Sequence, residues 1–115
     1  MARRADEEIK LVSASFELSP LARADLHDIW EYIAVKNFNP SAASRLWQDI
    51  EDACEMLGQK PSLGHARRDL TRDPTVLFYC VREYYLVIYK KGTEPLQIAR
   101  ILHGARDVKS ELQAD

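Results

Sequence analysis

Residues 96–107 read LQIARILHGARD, and this stretch decides how the rest of the chain is interpreted. The apolar run from Leu96 to Leu102 ends at a His-Gly step, which is typical of a buried strand that turns sharply. The Arg-Asp pair that follows places ionisable groups at the end of this strand. Side chains in such a position stand on a rigid element, where small domains often keep their working surface.

Two further strands precede this stretch and form a meander with it. Val76–Val81 and Tyr84–Lys90 are rich in aromatic and β-branched residues, which favour strands. Arg82-Glu83 separates these two strands, and residues 91–95 (KGTEP) lead into Leu96. Because connections this short join antiparallel neighbours, the second half of the chain is predicted to form three antiparallel strands.

Two amphipathic helices are predicted before the meander. Each begins with a capping residue and a proline, Ser19-Pro20 and Asn39-Pro40. Gly58 is expected as the C′ residue of the second helix, and Pro61 prevents its continuation. The first helix is expected to bury Ala22, Leu26, Ile29 and Ile33 and to turn Asp25, Asp28 and Glu31 to water. The second is expected to bury Ala43, Leu46, Trp47, Ile50, Ala53, Cys54 and Leu57.

The two ends of the chain have shorter patterns. Apolar and polar residues alternate from Val12 to Leu18, which predicts a strand with one buried face. Residues 1–9 are charged and aperiodic, which predicts a flexible tail. Residues 105–113 are expected to form a short terminal helix, with Asp107 as its cap and Leu112 packed back onto the domain.

This order of elements predicts the fold class. One strand, a helical hairpin and a three-strand meander form an α+β domain in the order β-α-α-β-β-β, followed by the terminal helix. The hairpin is expected to pack on one face of a mostly antiparallel sheet. A chain of 115 residues is long enough for one core, so residues 10–115 are predicted to form a single domain.

The net charge of −2 is unevenly distributed. Residues 1–59 carry 6 Lys and Arg against 11 Asp and Glu, whereas residues 60–115 carry 10 against 7. Domains that wrap nucleic acid by charge alone are far more basic, so the chain is not expected to bind nucleic acid in this way. No direct sequence-specific binding of nucleic acid is expected either. No apolar run is long enough to span a membrane and the start lacks a signal peptide, so a cytoplasmic location without a membrane partner is expected.

Neither a metal nor a cofactor is expected. The acidic residues Glu51, Asp52 and Glu55 have no histidine at ligand spacing and are predicted to be a solvated helix face. No phosphate-binding loop, dinucleotide fingerprint or CxxC pair occurs. Cys54 and Cys80 both fall at positions patterned as core and are expected to be buried, reduced thiols.

The order of these segments resembles the ParE branch of the RelE/ParE toxin superfamily of bacterial type II toxin–antitoxin modules, also known as plasmid-stabilisation proteins. The residues that carry the resemblance are Leu18-Ser19-Pro20, Ala24-Asp25-Leu26, Ile29, Trp30, Tyr32, Pro61, Gly64, Tyr89, Ile101-Leu102-His103-Gly104 and Arg106-Asp107. They extend over about residues 11–112. Each motif is short, and their order and spacing together make the resemblance specific.

The resemblance implies a toxin that inhibits DNA gyrase by binding it and trapping its cleaved-DNA state, with no bond made or broken by the toxin itself. It also implies a ParD-like antitoxin that folds over the toxin. The candidate target contacts are Arg67, Arg68, His103 and Arg106. The candidate antitoxin contacts are Arg100, expected on the sheet face opposite the core, and Tyr85, expected with Tyr79, Tyr84 and Tyr89 to leave an aromatic patch on one sheet face.

Two alternatives stay open. RelE-like relatives cut messenger RNA in the ribosome, which needs a base, an acid and cations around the phosphorane. Arg82, Arg100 and His103 are the candidates for that chemistry here, although no catalytic set is favoured. The other alternative is a homologue that binds an antitoxin without being toxic.

Overall fold

The structure, a computed structural model, describes residues 15–112, and it describes residues 105, 106, 109 and 112 by their backbone alone. The predictions for residues 1–14 and for the side chains of Arg106 and Leu112 lie outside the described residues. The elements are β1 (Phe16–Leu18), α1 (Pro20–Glu31), α2 (Pro40–Gln59), β2 (Val76–Val81), β3 (Tyr85–Lys90), β4 (Leu96–His103) and α3 (Gly104–Leu112). A π-helical turn, Tyr32–Lys36, extends α1, and a 3-10 turn, Pro61–Leu63, follows α2.

Both helices of the hairpin begin where the sequence predicts. Ser19 Oγ accepts a hydrogen bond from the backbone N–H of Ala22, and Asn39 Oδ1 accepts one from Ala42. The predicted role of Gly58 as a C′ residue is wrong, because α2 runs on to Gln59. Gly58 instead lies against Ser15, and a Cβ at this position would overlap the Ser15 carbonyl and side chain.

The four strands form one mixed sheet in the order β1-β4-β3-β2. β1 runs parallel to β4, with Phe16 opposite Leu96, and the three strands of the meander are antiparallel. Arg100 pairs with Ile88 and Ile98 with Tyr89, so Ala99 is the extra residue of a bulge in β4. The α+β class and the helical hairpin on a mostly antiparallel sheet are thereby confirmed.

The main core lies between the hairpin and one face of the sheet. Its fully buried members include Ile50 and Leu57 of α2 and Tyr89, Ile98 and Ile101 of the sheet. Tyr79 and Tyr85 also pack on this face, half-buried. The tyrosines of β2 and β3 therefore share the helix side of the sheet.

A second, smaller cluster covers the opposite face of the sheet. Its members are Leu70, Phe78, Leu86, Ile88, Leu102 and Val108. The predicted exposed aromatic patch on this face is therefore wrong: residues from the long connection and from α3 cover the sheet there. Among the four tyrosines of that prediction, the exposed one is Tyr84, which lies in the β2–β3 turn.

Tyr89 ties the long connection to the sheet. Its hydroxyl donates to the carbonyl of Pro61 and accepts a hydrogen bond of 2.9 Å from the N–H of Gly64. Burial raises the pKa of this hydroxyl above its usual value, and the bond from Gly64 opposes that rise. A Cβ at Gly64 would overlap the Tyr89 hydroxyl, so glycine is required for the close approach.

The two cysteines have different environments. Cys54 is buried, as predicted, and burial together with the charge of Glu51 raises its thiol pKa to about 12. The prediction that Cys80 is buried is wrong, because Cys80 lies on β2, the outer strand of the sheet, and is exposed. No helix within residues 15–112 is long and apolar enough to cross a membrane.

Candidate functional site

β4 ends at His103, and the chain turns there as its sequence predicts. Gly104 adopts a φ of +70° and its N–H donates to the carbonyl of Tyr84 at 2.6 Å. The His103 ring lies parallel to that of Tyr84, with centroids 6.2 Å apart, and edge-on to Tyr85 at 5.1 Å. His103 is therefore an exposed imidazole held between two tyrosines.

A groove opens beside His103, between the hairpin and the ends of β3 and β4. We call it the hairpin groove; its volume is about 850 Å³. Its described lining residues are Asp28, Ile29, Tyr32, Ile33, Asn37, Tyr85, His103, Gly104 and Asp107. None of these carries a positive side chain besides the titratable His103. Asp28 and Asp107 form no ion pair with any side chain that the structure describes.

Asp107 has a different role from the predicted one. α3 begins at Gly104, so Asp107 lies within its first turn and is not its cap. A carboxylate in this position is favourable beside the partial positive charge of a helix N-terminus. The side chain of Arg106 lies outside the described residues, so its predicted contact with a target stays a prediction.

Arg100 is engaged inside the molecule. Its Nε and Nη2 donate to the two carboxylate oxygens of Asp25 at 2.8 and 2.9 Å, and the hydrogen bond raises the pKa of the guanidinium. The two side chains are only 15% and 12% exposed. Glu111 of α3 lies 3.5 Å from Nη1. The predicted contact of Arg100 with an antitoxin stays a prediction, and such a contact would have to compete with these two carboxylates.

The prediction that Asp25 faces water is wrong. Beyond Ile98, where β1 ends, the edge of β4 is met by α1 and the residue that caps it. Asp25 accepts a hydrogen bond of 3.0 Å from the N–H of Ile101, and Ser19 Oγ donates to the carbonyl of Ala99 at 2.7 Å. Asp25 thus satisfies a strand edge and a half-buried guanidinium together.

Arg82 is separate from this pair. It lies in the β2–β3 turn with a φ of +52°, and its Nε donates to Asp49 of α2 at 2.6 Å. Both side chains are 45% exposed. Burial raises the pKa of Tyr85, and the charge of Arg82 opposes that rise as a smaller effect. Arg82 and Arg100 therefore pair with different carboxylates. Neither arginine lines the groove that contains His103.

Arg67 and Arg68 lie on the long connection, in a separate concave surface. Arg67 is held by Asp69 through two hydrogen bonds of 2.9 and 2.7 Å, which raise its pKa. Arg68 is exposed, and Arg72 lines the same concavity. Of the predicted partner contacts, the structure brings Tyr85 and His103 together and leaves Arg67 and Arg68 on a second surface.

Several residues of these surfaces were missed by sequence reasoning. Tyr32 and Asn37 of the hairpin groove and Arg72 of the connection were assigned no role at a site. Arg72 had a usable signal, since it completes a run of three arginines within residues 67–72. No group of three His, Cys, Asp or Glu side chains within the described part of the chain could hold a metal ion.

Comparison with known proteins agrees with this fold. The family model described as "ParE toxin of type II toxin-antitoxin system, parDE" matches residues 16–108. The chain belongs to the ParE toxin family. Toxin ParE1 of Caulobacter vibrioides (strain ATCC 19089 / CIP 103742 / CB 15) is 26% identical over 97 residues, which is 84% of this chain and 96% of that protein.

A solved structure has the same fold. A chain of the "Chromosomal ParDE TA system from P. aeruginosa" superposes with a TM-score of 0.62 at 23% identity, covering 77% of this chain and 94% of its own. The chain is thus a ParE-family toxin of a type II toxin–antitoxin system, and membership implies an antitoxin partner. At this identity the structural likeness concerns the fold alone.

Proposed function

We propose that this ParE-family toxin inhibits DNA gyrase by binding it and favouring its cleaved-DNA state, without cleaving a bond itself. The observation that carries the proposal is the composition of the hairpin groove. Around His103 it offers carboxylates and tyrosines, and no guanidinium or ammonium group stands among its described lining residues. Arg82 and Arg100 are each engaged with a carboxylate elsewhere.

This composition favours binding over phosphodiester cleavage. Attack by a ribose 2′-hydroxyl builds negative charge on the phosphorane oxygens, and cations must converge on these oxygens for the rate to rise by orders of magnitude. Carboxylates in the same groove would repel both the substrate phosphate and that developing charge. A toxin that acts by occupying a surface needs only differential affinity for one state of its target.

The contacts that we propose with the gyrase–DNA complex are His103 and Arg106 at the end of β4 and the start of α3, together with Arg67 and Arg68. His103 is exposed and held in one orientation by Tyr84 and Tyr85, so it would be ordered before binding. The cytoplasm, where gyrase acts, is the location that we propose.

The antitoxin that we propose is ParD-like and covers the hairpin groove by folding on it. Tyr32, which lines the groove, and Val35 and Phe38 of the adjoining turn are exposed apolar side chains that such a partner would bury. Tyr85 would be its contact within the groove. Asp28 and Asp107 favour basic residues in the part of the antitoxin that enters.

Two reactions run in parallel test the target. The purified chain is added to a supercoiling reaction with gyrase and to a translation reaction whose messenger is read by primer extension. We expect loss of supercoiling and accumulation of linear DNA in the first, and no codon-phased cleavage in the second. Messenger cleavage without an effect on gyrase would establish the nuclease alternative, and no effect in either would leave a non-toxic antitoxin-binding homologue.

His103→Ala separates binding from catalysis. Loss of a contact residue should weaken inhibition by about 1–3 kcal/mol, which a higher toxin concentration restores. Loss of a catalytic imidazole lowers the rate by about 10²–10⁴-fold at any concentration. His27→Ala, which removes an exposed imidazole from α1, is the matched control and should leave inhibition unchanged.

The antitoxin surface is tested by affinity. Phe38→Ala should weaken binding of the cognate antitoxin at least several-fold, as should Tyr85→Ala. Leu21→Ala is the control, because Leu21 is 60% exposed in the first turn of α1 and belongs neither to the groove nor to the turn that adjoins it. If all three variants bind the antitoxin as tightly as the wild type does, the hairpin groove is excluded as the antitoxin surface.

A further inference from the structure

The long connection forms a second concave surface, which shares no lining residue with the hairpin groove. We call residues 66–74 the basic loop; seven of these nine residues line a concavity of about 400 Å³. One carboxylate, that of Asp73, belongs to the lining. The other polar side chains there are three arginines, Arg67, Arg68 and Arg72, and the hydroxyl-bearing Thr71. These are side chains that donate hydrogen bonds to phosphate oxygens.

The basic loop is anchored at both ends. At its start, the N–H groups of Leu70 and Thr71 donate to the carbonyl of Arg67 at 3.0 and 3.1 Å, and Leu70 is fully buried in the second core cluster. At its end, Asp73 accepts hydrogen bonds from the N–H and hydroxyl of Thr75 at 2.9 and 2.6 Å. The arginines therefore stand on an ordered platform, and little chain entropy would be lost when a ligand binds.

The guanidinium groups are not equally engaged. Arg67 is oriented by its two hydrogen bonds to Asp69. Arg68 and Arg72 are exposed, and neither forms an ion pair with any side chain in the described part of the chain. These two groups are available to an anion, whereas Arg67 supplies charge in a fixed position.

The surrounding charge is positive although the protein is acidic. Lys90 and Lys91, at the end of β3, adjoin the basic loop: the N–H of Lys91 donates to the carbonyl of Thr75, and Lys90 Nζ lies 3.6 Å from Asp73. The loop and these two lysines carry five cations and two carboxylates, a net +3. The other residues carry a net −5, so positive charge is concentrated here.

We propose that the basic loop binds backbone phosphates of duplex DNA while the toxin is on its target. This rests on the proposed function, since the cleaved-DNA state that the toxin would favour contains a DNA duplex by definition. Phosphate contacts carry no sequence information, so the loop would position the toxin without reading bases. Because the rest of the molecule is acidic, affinity for free DNA is weak and the contact matters on the assembled complex.

The test uses the double variant Arg68→Ala/Arg72→Ala and the charge-matched control Arg23→Ala/Arg45→Ala, whose two arginines are exposed on α1 and α2. All proteins are first shown to unfold at the same temperature as the wild type. Binding is then measured on DNA-loaded gyrase, on DNA-free gyrase, and on a short free DNA duplex at low salt. A duplex of the same sequence in RNA is included.

The wild type and the control should bind DNA-loaded gyrase about tenfold more tightly than DNA-free gyrase, and the Arg68/Arg72 variant should lose this difference. Each lost phosphate contact should also make the slope of log K against log salt shallower by about 0.9, so the double variant, which loses two contacts, should have a slope shallower by about 1.8. On the free DNA duplex the variant should bind more weakly than the control.

Three other outcomes would overturn the phosphate site, its assignment to DNA or the proposed function. Equal weakening on DNA-loaded and DNA-free gyrase would mean that the loop contacts an acidic protein surface and would overturn the phosphate site. Tighter binding to the RNA duplex than to the DNA duplex would overturn the assignment to DNA. If the wild type binds neither form of gyrase, the proposed function fails, and the free-duplex comparison of variant and control still decides whether the loop binds phosphates.

Discussion

Arg100 and Asp25 meet through two parallel hydrogen bonds of 2.8 and 2.9 Å, although 75 residues separate them in the chain. The same carboxylate accepts from the backbone N–H of Ile101, so a single side chain of α1 holds both the guanidinium and the strand edge. This relationship joins the first helix to the strand that ends at His103. The contact therefore joins two of the elements that line the hairpin groove.

Removing the Asp25 carboxylate should cost far more stability than removing an exposed one. Asp25→Ala leaves the N–H of Ile101 without its partner and leaves the half-buried Arg100 guanidinium with only the more distant carboxylate of Glu111 among the described residues, so we expect a loss of about 2–3 kcal/mol in the free energy of unfolding. Asp49→Ala breaks the Arg82 pair, whose side chains are 45% exposed, and should cost less than about 1 kcal/mol. Urea denaturation measures both. Equal losses would contradict the difference in burial.

Tyr89→Phe tests the link between the long connection and the sheet. The variant leaves the carbonyl of Pro61 and the N–H of Gly64 without their hydrogen-bond partner in a buried region, and should lower the free energy of unfolding by about 1–3 kcal/mol. Tyr79→Phe serves as the control, because no hydrogen bond to its hydroxyl is seen within the described residues; it should change stability by less than about 0.5 kcal/mol. If Tyr89→Phe leaves the free energy of unfolding unchanged, the connection is held by packing alone.

Thiol labelling should distinguish the two cysteines. In the folded protein at pH 8, the exposed Cys80 should react readily with a disulfide reagent, while the buried Cys54 should react only on unfolding. Cys80→Ser should abolish the fast phase, and Cys54→Ala should leave it intact. Two fast thiols in the native wild type would be inconsistent with the buried position of Cys54.

The raised pKa of Cys54 predicts a loss of stability in alkali. The unfolded thiol ionises near 9.0 and the folded one near 12, so between these values the folded state holds more protons than the unfolded state. The free energy of unfolding therefore falls as pH rises from 9, with a slope of at most about 1.4 kcal/mol per pH unit from this group. Subtracting the free energy of unfolding of Cys54→Ala from that of the wild type at each pH separates the contribution of this thiol from that of the tyrosines. A difference that does not change between pH 8 and pH 11 would refute the assignment.

Phe38 combines two unfavourable features. Its backbone adopts a φ of +51°, which strains any residue other than glycine. Its side chain is 88% exposed, so the ring gains little from burial. Phe38→Gly should raise the midpoint of thermal unfolding, with a gain of up to about 1 kcal/mol in the free energy of unfolding. The same variant should bind the antitoxin more weakly. A variant that is less stable than the wild type would show that the ring contributes to the fold.

Much of the fold follows from local signals. The helix starts at Ser19 and Asn39 were predicted because a capping side chain and a proline act within one turn. The strand limits of the meander were predicted within a residue because the turn residues lie between apolar runs. Gly58 was misassigned, since a glycine needed for close packing against Ser15 looks the same in sequence as one that ends a helix.

The candidate site was predicted less completely. His103 and Gly104 were assigned correctly to the end of a strand, because the turn requires a positive φ there. The carboxylates Asp28 and Asp107 come from opposite ends of the chain, and nothing local indicates that they line one groove. The burial of Asp25 could not be predicted because its helix position is that of a solvated face until a strand edge is packed against it.

The sequence by itself determined the element order, the helix caps, the turns and the family, because these depend on neighbours within a few residues and on the spacing of motifs. Only the tertiary structure decided which carboxylate each arginine meets, which cysteine is exposed and which side chains surround His103. Those properties depend on which elements become adjacent, and adjacency is set by packing of the whole core rather than by any one segment.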